Sequence, residues 1–272
     1  MILTYKDLIY ESNHSKVWLV KKEEDGIKSE YVEKIYNSDA NTQYINEVDI
    51  LRKLSDNKTN IVNMFNSTDE IYTIYLEKGD ISLKKYIKKY LYNPIEIFRE
   101  IVKGVKYIHS HDIVHCDLKF ENILMFGTQP KIIDFGLSHR EGDNLGGYIM
   151  GTLHYVSLDR ILQNNIVQKY DDMWQLACIF YKLITREYLF DIYSFDKLIL
   201  SILELKGFPI KDDIVYLSSL PKAHKLYNAK NSDLHIRKLN AAPYNDIIFN
   251  LMEYIPSNRI LCDKLLDILE KM

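Results

Sequence analysis

Cysteine is scarce in this chain: Cys116, Cys178 and Cys262 are the only three among 272 residues, at wide and unrelated spacings. That leaves neither a disulfide framework nor a thiolate zinc site, and it points to a reducing compartment. An excess of one charge is also missing. The formal net charge is -3, without the strong basic excess that a general nucleic-acid binder needs. Long hydrophobic runs are absent as well. The most apolar stretch, Trp174 to Ile184, has eleven residues and is interrupted by Lys182, so it reads as a buried helix rather than a membrane span. The start, Met1-Ile2-Leu3-Thr4-Tyr5-Lys6-Asp7, has no long apolar core and no small-residue cleavage site, and no signal peptide is expected. Neither an internal repeat nor a low-complexity linker breaks the chain. The rest is ordinary globular composition, 47% hydrophobic and 27% charged. The length suits one large domain or two lobes sharing a cleft.

What is present is concentrated between residues 115 and 136. His115-Cys116-Asp117-Leu118-Lys119-Phe120-Glu121-Asn122 is followed by Asp134-Phe135-Gly136. Asp117 can orient and deprotonate a hydroxyl nucleophile, and Lys119 can neutralise charge on a moving phosphoryl group. Asn122 and Asp134 supply oxygen ligands for magnesium bound to ATP. The order and separation of the two motifs resemble the catalytic loop and metal-binding triplet of eukaryotic-type protein kinases. That resemblance extends over nearly the whole chain, from Ile9 to Arg259. It implies an α+β, bilobal protein-kinase-like fold: one domain over 1–272, with a small β-rich N-lobe to about residue 76, a hinge at 77–80 and a mostly helical C-lobe from 81.

Several runs place the elements of that fold. Lys16 to Val20 and Tyr31 to Tyr36 read as strands around a polar turn, Glu23-Glu24-Asp25-Gly26. Ile50, Leu51 and Leu54 recur at helical spacing in the run from Tyr44. Asn60–Phe65 and Ile71–Leu76 read as two further strands. Beyond them come a short helix over Ser82–Tyr92, a longer one opened by Asn93-Pro94, and short strands at Ile123–Met125 and Lys131–Ile133. An apolar helix begins near Tyr170, and more helices are expected over 193–205, 242–254 and 260–271. Residues 206–240 are the least patterned, a solvated loop or a partner surface.

By resemblance, Lys34 takes the place of the third-strand lysine that fixes the α/β-phosphates, and Glu47 that of its partner on the regulatory helix. Leu76 would back the adenine pocket. Glu77 and Lys78, with Gly79, would form the hinge, and Val32 and Leu124 would sandwich the base. Ile9, Tyr10, Ser12, Ser15 and Val17 would line the nucleotide-covering loop. All three glycine slots of that loop are filled here, by Tyr10, Ser12 and Ser15. A Cβ hinders close approach of backbone to phosphate, so an altered grip on ATP is expected; the bland reading is a plain hairpin. Gly151-Thr152-Leu153-His154-Tyr155 through Ser157-Leu158-Asp159 resembles the end of the activation segment. Asp159 stands for the usual glutamate, opposite Arg259. Asp172 would hold the backbone of the catalytic loop, and His115 would pack under Phe135.

The resemblance implies a serine/threonine protein kinase that uses ATP with Mg2+ (or Mn2+) and a protein substrate bearing Ser or Thr. Lys119 together with Thr152 marks that branch. No direct nucleic-acid binding and no membrane association are expected, and the site of action is expected to be intracellular. Cys116 replaces the arginine that receives an activation-loop phosphate, which implies a non-RD kinase active without that phosphate. The alternatives are a nucleotide-binding pseudokinase that acts through partners and a small-molecule kinase of the same broad fold. A His115–Cys116 thiol nucleophile is a third and weaker reading. Compactness and a usage rich in Ile, Lys, Asn and Tyr resemble the small kinases of large DNA viruses such as poxviruses and baculoviruses.

Overall fold

A computed structural model describes residues 2–24, 27–56, 59–230 and 234–272. Asp25 and Gly26 of the expected turn lie outside the described residues.

Three ten-residue strands, β1 (Ile2–Glu11), β2 (Ser15–Glu24) and β3 (Ile27–Tyr36), form an antiparallel meander. Helix α1 (Asn41–Lys53) follows, then β4 (Met64–Thr68) and β5 (Thr73–Leu76). The sheet order is β1-β2-β3-β5-β4, so β3 lies in the middle. Its register sets Lys34 opposite Val17 on one side and Ile74 on the other, and Val32 opposite Leu76. Alternation along the strand then aims Val32, Lys34 and Tyr36 to one face.

The expected strand Asn60–Phe65 is not formed as such. Ile61 makes only an isolated bridge to Ile132, and the strand proper runs from Met64 to Thr68. Ile61 and Val62 are buried because they plug the seam between the lobes, which gives the same apolar signal as a strand.

The C-lobe starts with β6 (Ile81–Ser82), α2 (Leu83–Lys89) and α3 (Pro94–Ser110). The Asn93 side chain accepts from the amides of Ile95 and Glu96, and Pro94 takes the first turn, where no donor is needed. Strand β7 (Ile113–Val114) leads into the catalytic loop, and β8 (Ile123–Phe126) with β9 (Gln129–Ile132) forms the hairpin that returns to Asp134. Strand β10 (His139–Arg140) pairs with β7. Helices α4 (Leu158–Ile161), α5 (Lys169–Thr185) and α6 (Phe195–Lys206) follow. The apolar stretch from Trp174 is the buried middle of α5, whose Phe180 stacks on Phe98 of α3 at 4.2 Å between ring centroids.

Residues 206–240 are not a plain loop. They contain α7 (Asp212–Ser218) and α8 (His224–Lys230), whose Leu217, Leu226 and Ala229 are buried. Helices α9 (Asn245–Leu251) and α10 (Cys262–Leu269) close the lobe. Among the described residues no helix is long and apolar enough to cross a membrane.

Candidate active site

Lys34, Glu47, Asp117, Lys119, Asn122 and Asp134 meet in the cleft between the sheet and α3–α5. From the sheet side, the Lys34 ammonium lies 2.7 Å from Glu47 Oε2 and 2.6 Å from Asp134 Oδ1. Glu47 is fully buried in α1. It also accepts from the Tyr36 hydroxyl and, through Oε1, from the Phe135 amide at 3.0 Å. Burial alone would lower the Lys34 pKa. The carboxylates of Asp134 and Glu47 outweigh it and hold that pKa well above the ordinary value. Burial likewise favours a neutral Asp134, but the Lys34 charge prevails and keeps its carboxyl below the usual range. Lys34 and Asp134 therefore both carry their charges at neutral pH. Next to Glu47, the Asn46 amide donates to the carbonyls of Ser138 at 2.7 Å, Phe135 at 3.3 Å and Gly136 at 3.4 Å. Helix α1 is thus locked against the Asp134-Phe135-Gly136 segment.

The catalytic loop hangs from one carboxylate. Asp172, on α5 with no exposed surface, accepts from the amides of His115 and Cys116, each at 2.9 Å, and lies 2.8 Å from His109 Nε2. Three residues on, one helical turn away, Gln175 accepts from the Leu118 amide at 2.7 Å and donates to the Cys116 carbonyl at 2.8 Å. These bonds hold Cys116 in the left-handed region (φ 66°), a strained conformation for a residue with a Cβ. They turn the next residue, Asp117, towards the cleft.

Around Asp117 a closed triangle forms. Lys119 Nζ donates to Asp117 Oδ2 at 2.6 Å and to Thr152 Oγ1 at 2.9 Å, and Thr152 Oγ1 donates to Asp117 Oδ1 at 2.9 Å. Asn122 Nδ2 donates to the Asp117 carbonyl at 2.9 Å and to Oδ2 at 3.2 Å. Gly151 makes the triangle possible. Its φ is +93°, and an added Cβ would stand 2.9 Å from the Cys116 carbonyl, so any other residue would push Thr152 away from Asp117.

His115 stacks obliquely on Phe135, with 5.0 Å between centroids, and its Nε2 lies 3.1 Å from the Ile133 carbonyl. The ring is committed to the core. Burial and the Asp172 carboxylate push the Cys116 thiol well above its ordinary pKa, and its Sγ lies 3.5 Å from the Val114 carbonyl. Thiolate chemistry at Cys116 is therefore dropped.

A divalent cation fits the two expected ligands. Asn122 spends its amide nitrogen on Asp117, leaving Oδ1, and Asp134 keeps Oδ2 beside the oxygen held by Lys34. Both are hard oxygen donors of the kind magnesium selects, with phosphate oxygens and water completing its shell. No larger cluster of His, Cys, Asp or Glu suited to a metal occurs among the described residues.

The hinge is held from behind. The Glu77 carboxylate accepts from Lys131 Nζ at 2.6 Å and from the Asn63 amide at 2.7 Å, and the Glu77 amide donates to the Asn63 carbonyl at 2.9 Å, so its side chain is turned away from the cleft. Lys78 pairs with Glu30 at 2.5 Å on the surface. A Cβ on Gly79 would lie 2.9 Å from Leu124, and this close approach seats the hinge on the floor of the pocket. Val32 is buried, while Val17 and Leu124 are half-buried at the cleft.

Ile9 and Tyr10 are exposed, Ile9 at a bulge in the β1–β2 pairing, and Ser15 is buried. The loop they frame is tied down. The Ser12 amide donates to the Ser15 carbonyl at 2.9 Å, and Ser12 Oγ accepts from the amides of Ser15 at 3.1 Å and His14 at 3.2 Å. Asn37 holds the tip, its amide donating to the His14 carbonyl at 2.9 Å and its side chain to the Asn13 carbonyl at 2.8 Å. The amides that would face phosphate are thus engaged by a side chain of the loop itself. Ser12→Gly frees them and removes a Cβ, and is expected to lower the KM for ATP about threefold, the worth of one modest hydrogen bond. An unchanged or higher KM in steady-state kinetics would count against this account of the loop.

Sequence reasoning missed Tyr36, Asn46, Gln175, His109 and the buried Arg160–Asp171 pair. Tyr36 is two places from Lys34 on the same strand face and Gln175 three from Asp172 on the same helix face, and those spacings were a usable signal. Asn46 had none.

A cleft between a β-rich and a helical lobe, with a carboxylate-bridged lysine above and a buried aspartate held by lysine, threonine and asparagine below, is the architecture of a phosphotransferase. Comparison with known proteins agrees. Residues 9–268 match the family described as "Protein kinase domain". A probable cell division protein kinase of Encephalitozoon cuniculi is 36% identical over 152 residues, 54% of this chain and 57% of that protein. Cyclin-dependent kinase B1-1 of Arabidopsis thaliana is 29% identical over 216 residues, 74% of this chain and 70% of that protein. The serine/threonine-protein kinase MPS1 of Encephalitozoon cuniculi is 30% identical over 185 residues, 65% of this chain and 32% of that protein. The match therefore spans little more than half of the first relative and a third of the last. The chain belongs to the protein kinase family.

Proposed function

We propose that this protein transfers the γ-phosphoryl group of Mg-ATP to serine and threonine hydroxyls of protein substrates, without needing phosphate on its activation segment. The observation that carries the reading is the closed Asp117–Lys119–Thr152 triangle beneath an already formed Lys34–Glu47 pair. Asp117 accepts the hydroxyl proton and aims the oxygen in line. Lys119 sits where charge builds up on the transferred group, and Lys34 steadies the phosphates. Asn122 and Asp134 would hold the divalent cation, which screens the phosphate charge when bound.

Independence from phosphorylation is supported by what already holds the segment. Just beyond the segment, the Arg160 guanidinium pairs with Asp171 and donates to the carbonyls of Asn164 and Ile166, fixing the stretch against which the segment is bonded. Gln163 Nε2 donates to the Gly147 carbonyl at 3.1 Å, and the Leu145 amide donates to the Asn165 carbonyl at 2.9 Å. Hydrogen bonds between residues 142–147 and 163–167 thus do the ordering that a phosphate–arginine contact would otherwise do.

The pinned, glycine-free loop favours a second reading, a pseudokinase that binds nucleotide and acts through partners. γ-Labelled ATP offered with acidic and basic protein substrates separates the two. Label recovered as phosphoserine or phosphothreonine supports the kinase. Nucleotide binding with no label on any protein supports the pseudokinase.

A further inference from the structure

Lys182, on α5, is 4% exposed, and its ammonium makes no hydrogen bond. It is covered by aromatic faces, with Nζ 3.1 Å from the ring centroid of Tyr188 and 4.9 Å from that of Phe120. Ring faces attract a cation, but they offer its three N–H donors no lone pairs. A buried ammonium without an anion is costly, and burial lowers the Lys182 pKa to about 8, against the pull of Glu121. The carboxylate that acts on it most strongly is already engaged, as Glu121 accepts from Lys84 Nζ at 3.1 Å. Lys84 adds a second positive charge to the same wall.

The position matters. Phe120 and Glu121 belong to the catalytic loop, three and four residues after Asp117. Tyr188 is half-buried and touches His154 edge-on at 4.9 Å, and His154 follows Thr152, which holds Asp117 Oδ1, by two residues. Tyr188 thus stands between Lys182 and the surface beside the acceptor site. Its hydroxyl reaches Glu121 only at 3.4 Å, a weak latch.

We propose that Lys182 is a specificity-determining residue that pairs with an aspartate or glutamate side chain flanking the acceptor hydroxyl of the protein substrate, with the Tyr188 ring swinging aside to admit it. The proposal rests on the kinase reading above and deepens it by naming the substrate class. The carboxylate supplies the lone pairs that the rings lack, and Lys84 reinforces its field at the rim.

The test compares synthetic peptides with one Ser or Thr acceptor flanked on either side by Asp or Glu, by Asn or Gln, by Lys, or by phosphoserine. Wild type is expected to favour the carboxylate peptides over the amide peptides on the order of tenfold in kcat/KM, mainly through KM, the worth of one charge-assisted pair. Lys182→Met keeps the stem and packing and should collapse that ratio to within about twofold. If Lys182→Met does not fold, Tyr188→Ala, at a half-buried ring, should keep or raise the carboxylate preference. Equal rates on the carboxylate and amide peptides in wild type overturn the proposal, and so does a preference that survives Lys182→Met or vanishes in Tyr188→Ala. A preference for phosphoserine alone overturns the carboxylate assignment. Failure of the kinase reading looks different: no label on any peptide or protein, whatever residue stands at 182.

Discussion

Asp117→Asn is expected to lower kcat about a thousandfold, the usual worth of a positioned general base, while ATP affinity stays within about a factor of two. The amide fills the same space, so the backbone bonds that hold the loop through Asp172 and Gln175 persist. What changes is chemical. An amide nitrogen is a donor, and it would face Lys119 and Thr152, which both donate to the carboxylate. Single-turnover transfer, with nucleotide binding measured alongside, separates the two effects. Unimpaired transfer, or a parallel loss of ATP binding, would remove Asp117 from the role given to it. Lys34→Met provides the contrast, because it acts on phosphate positioning as well as on chemistry.

The largest stability effect is expected at the other end of the C-lobe. Arg259 and Asp159 are paired with no exposed side-chain surface, and Arg259 also donates to the carbonyls of Glu253 at 2.9 Å and Tyr170 at 3.1 Å. Arg259→Leu should cost about 3–5 kcal/mol in denaturant unfolding, because it strands a buried carboxylate. Burial pushes the Asp159 pKa up, but Arg259 outweighs it and holds the carboxyl below its ordinary range. A group depressed in the folded state stabilises fully above its unfolded pKa, and that contribution fades as pH falls through the folded one. In Arg259→Leu the sign reverses, since the stranded carboxyl is raised and is relieved by protonation. The gap between wild type and variant should therefore be widest near neutral pH and narrow as pH falls towards the ordinary aspartate range. A loss under about 1 kcal/mol, typical of an exposed pair, or a gap that ignores pH, would contradict this account.

The parts of the molecule legible in the sequence are those where chemistry restricts residue type. Lys34, Glu47, Asp117, Lys119, Asn122 and Asp134 each have few substitutes for the task assigned to them, and the structure brings all six into one cleft. The acid–base pair of Asp159 and Arg259 was readable for the same reason, across a separation of 100 residues. Misreadings arose where burial was partial or context decided. Ile61 and Val62 look like a strand because they are apolar, yet their surroundings place them at the seam between the lobes. Helices α7 and α8 are only seven residues each, two turns, too short for a helical period to stand out along the chain. Asn46 is an amide whose partners are backbone groups of a distant segment, and no pattern along the chain announces such a contact.

On the function proposed here, the site is assembled by internal contacts and waits for no activation-loop phosphate. The direct measurement is kcat before and after complete phosphatase treatment, with mass spectrometry confirming loss of phosphate. The prediction is an unchanged kcat within about a factor of two. Loss of most of the activity, regained on rephosphorylation, would contradict it.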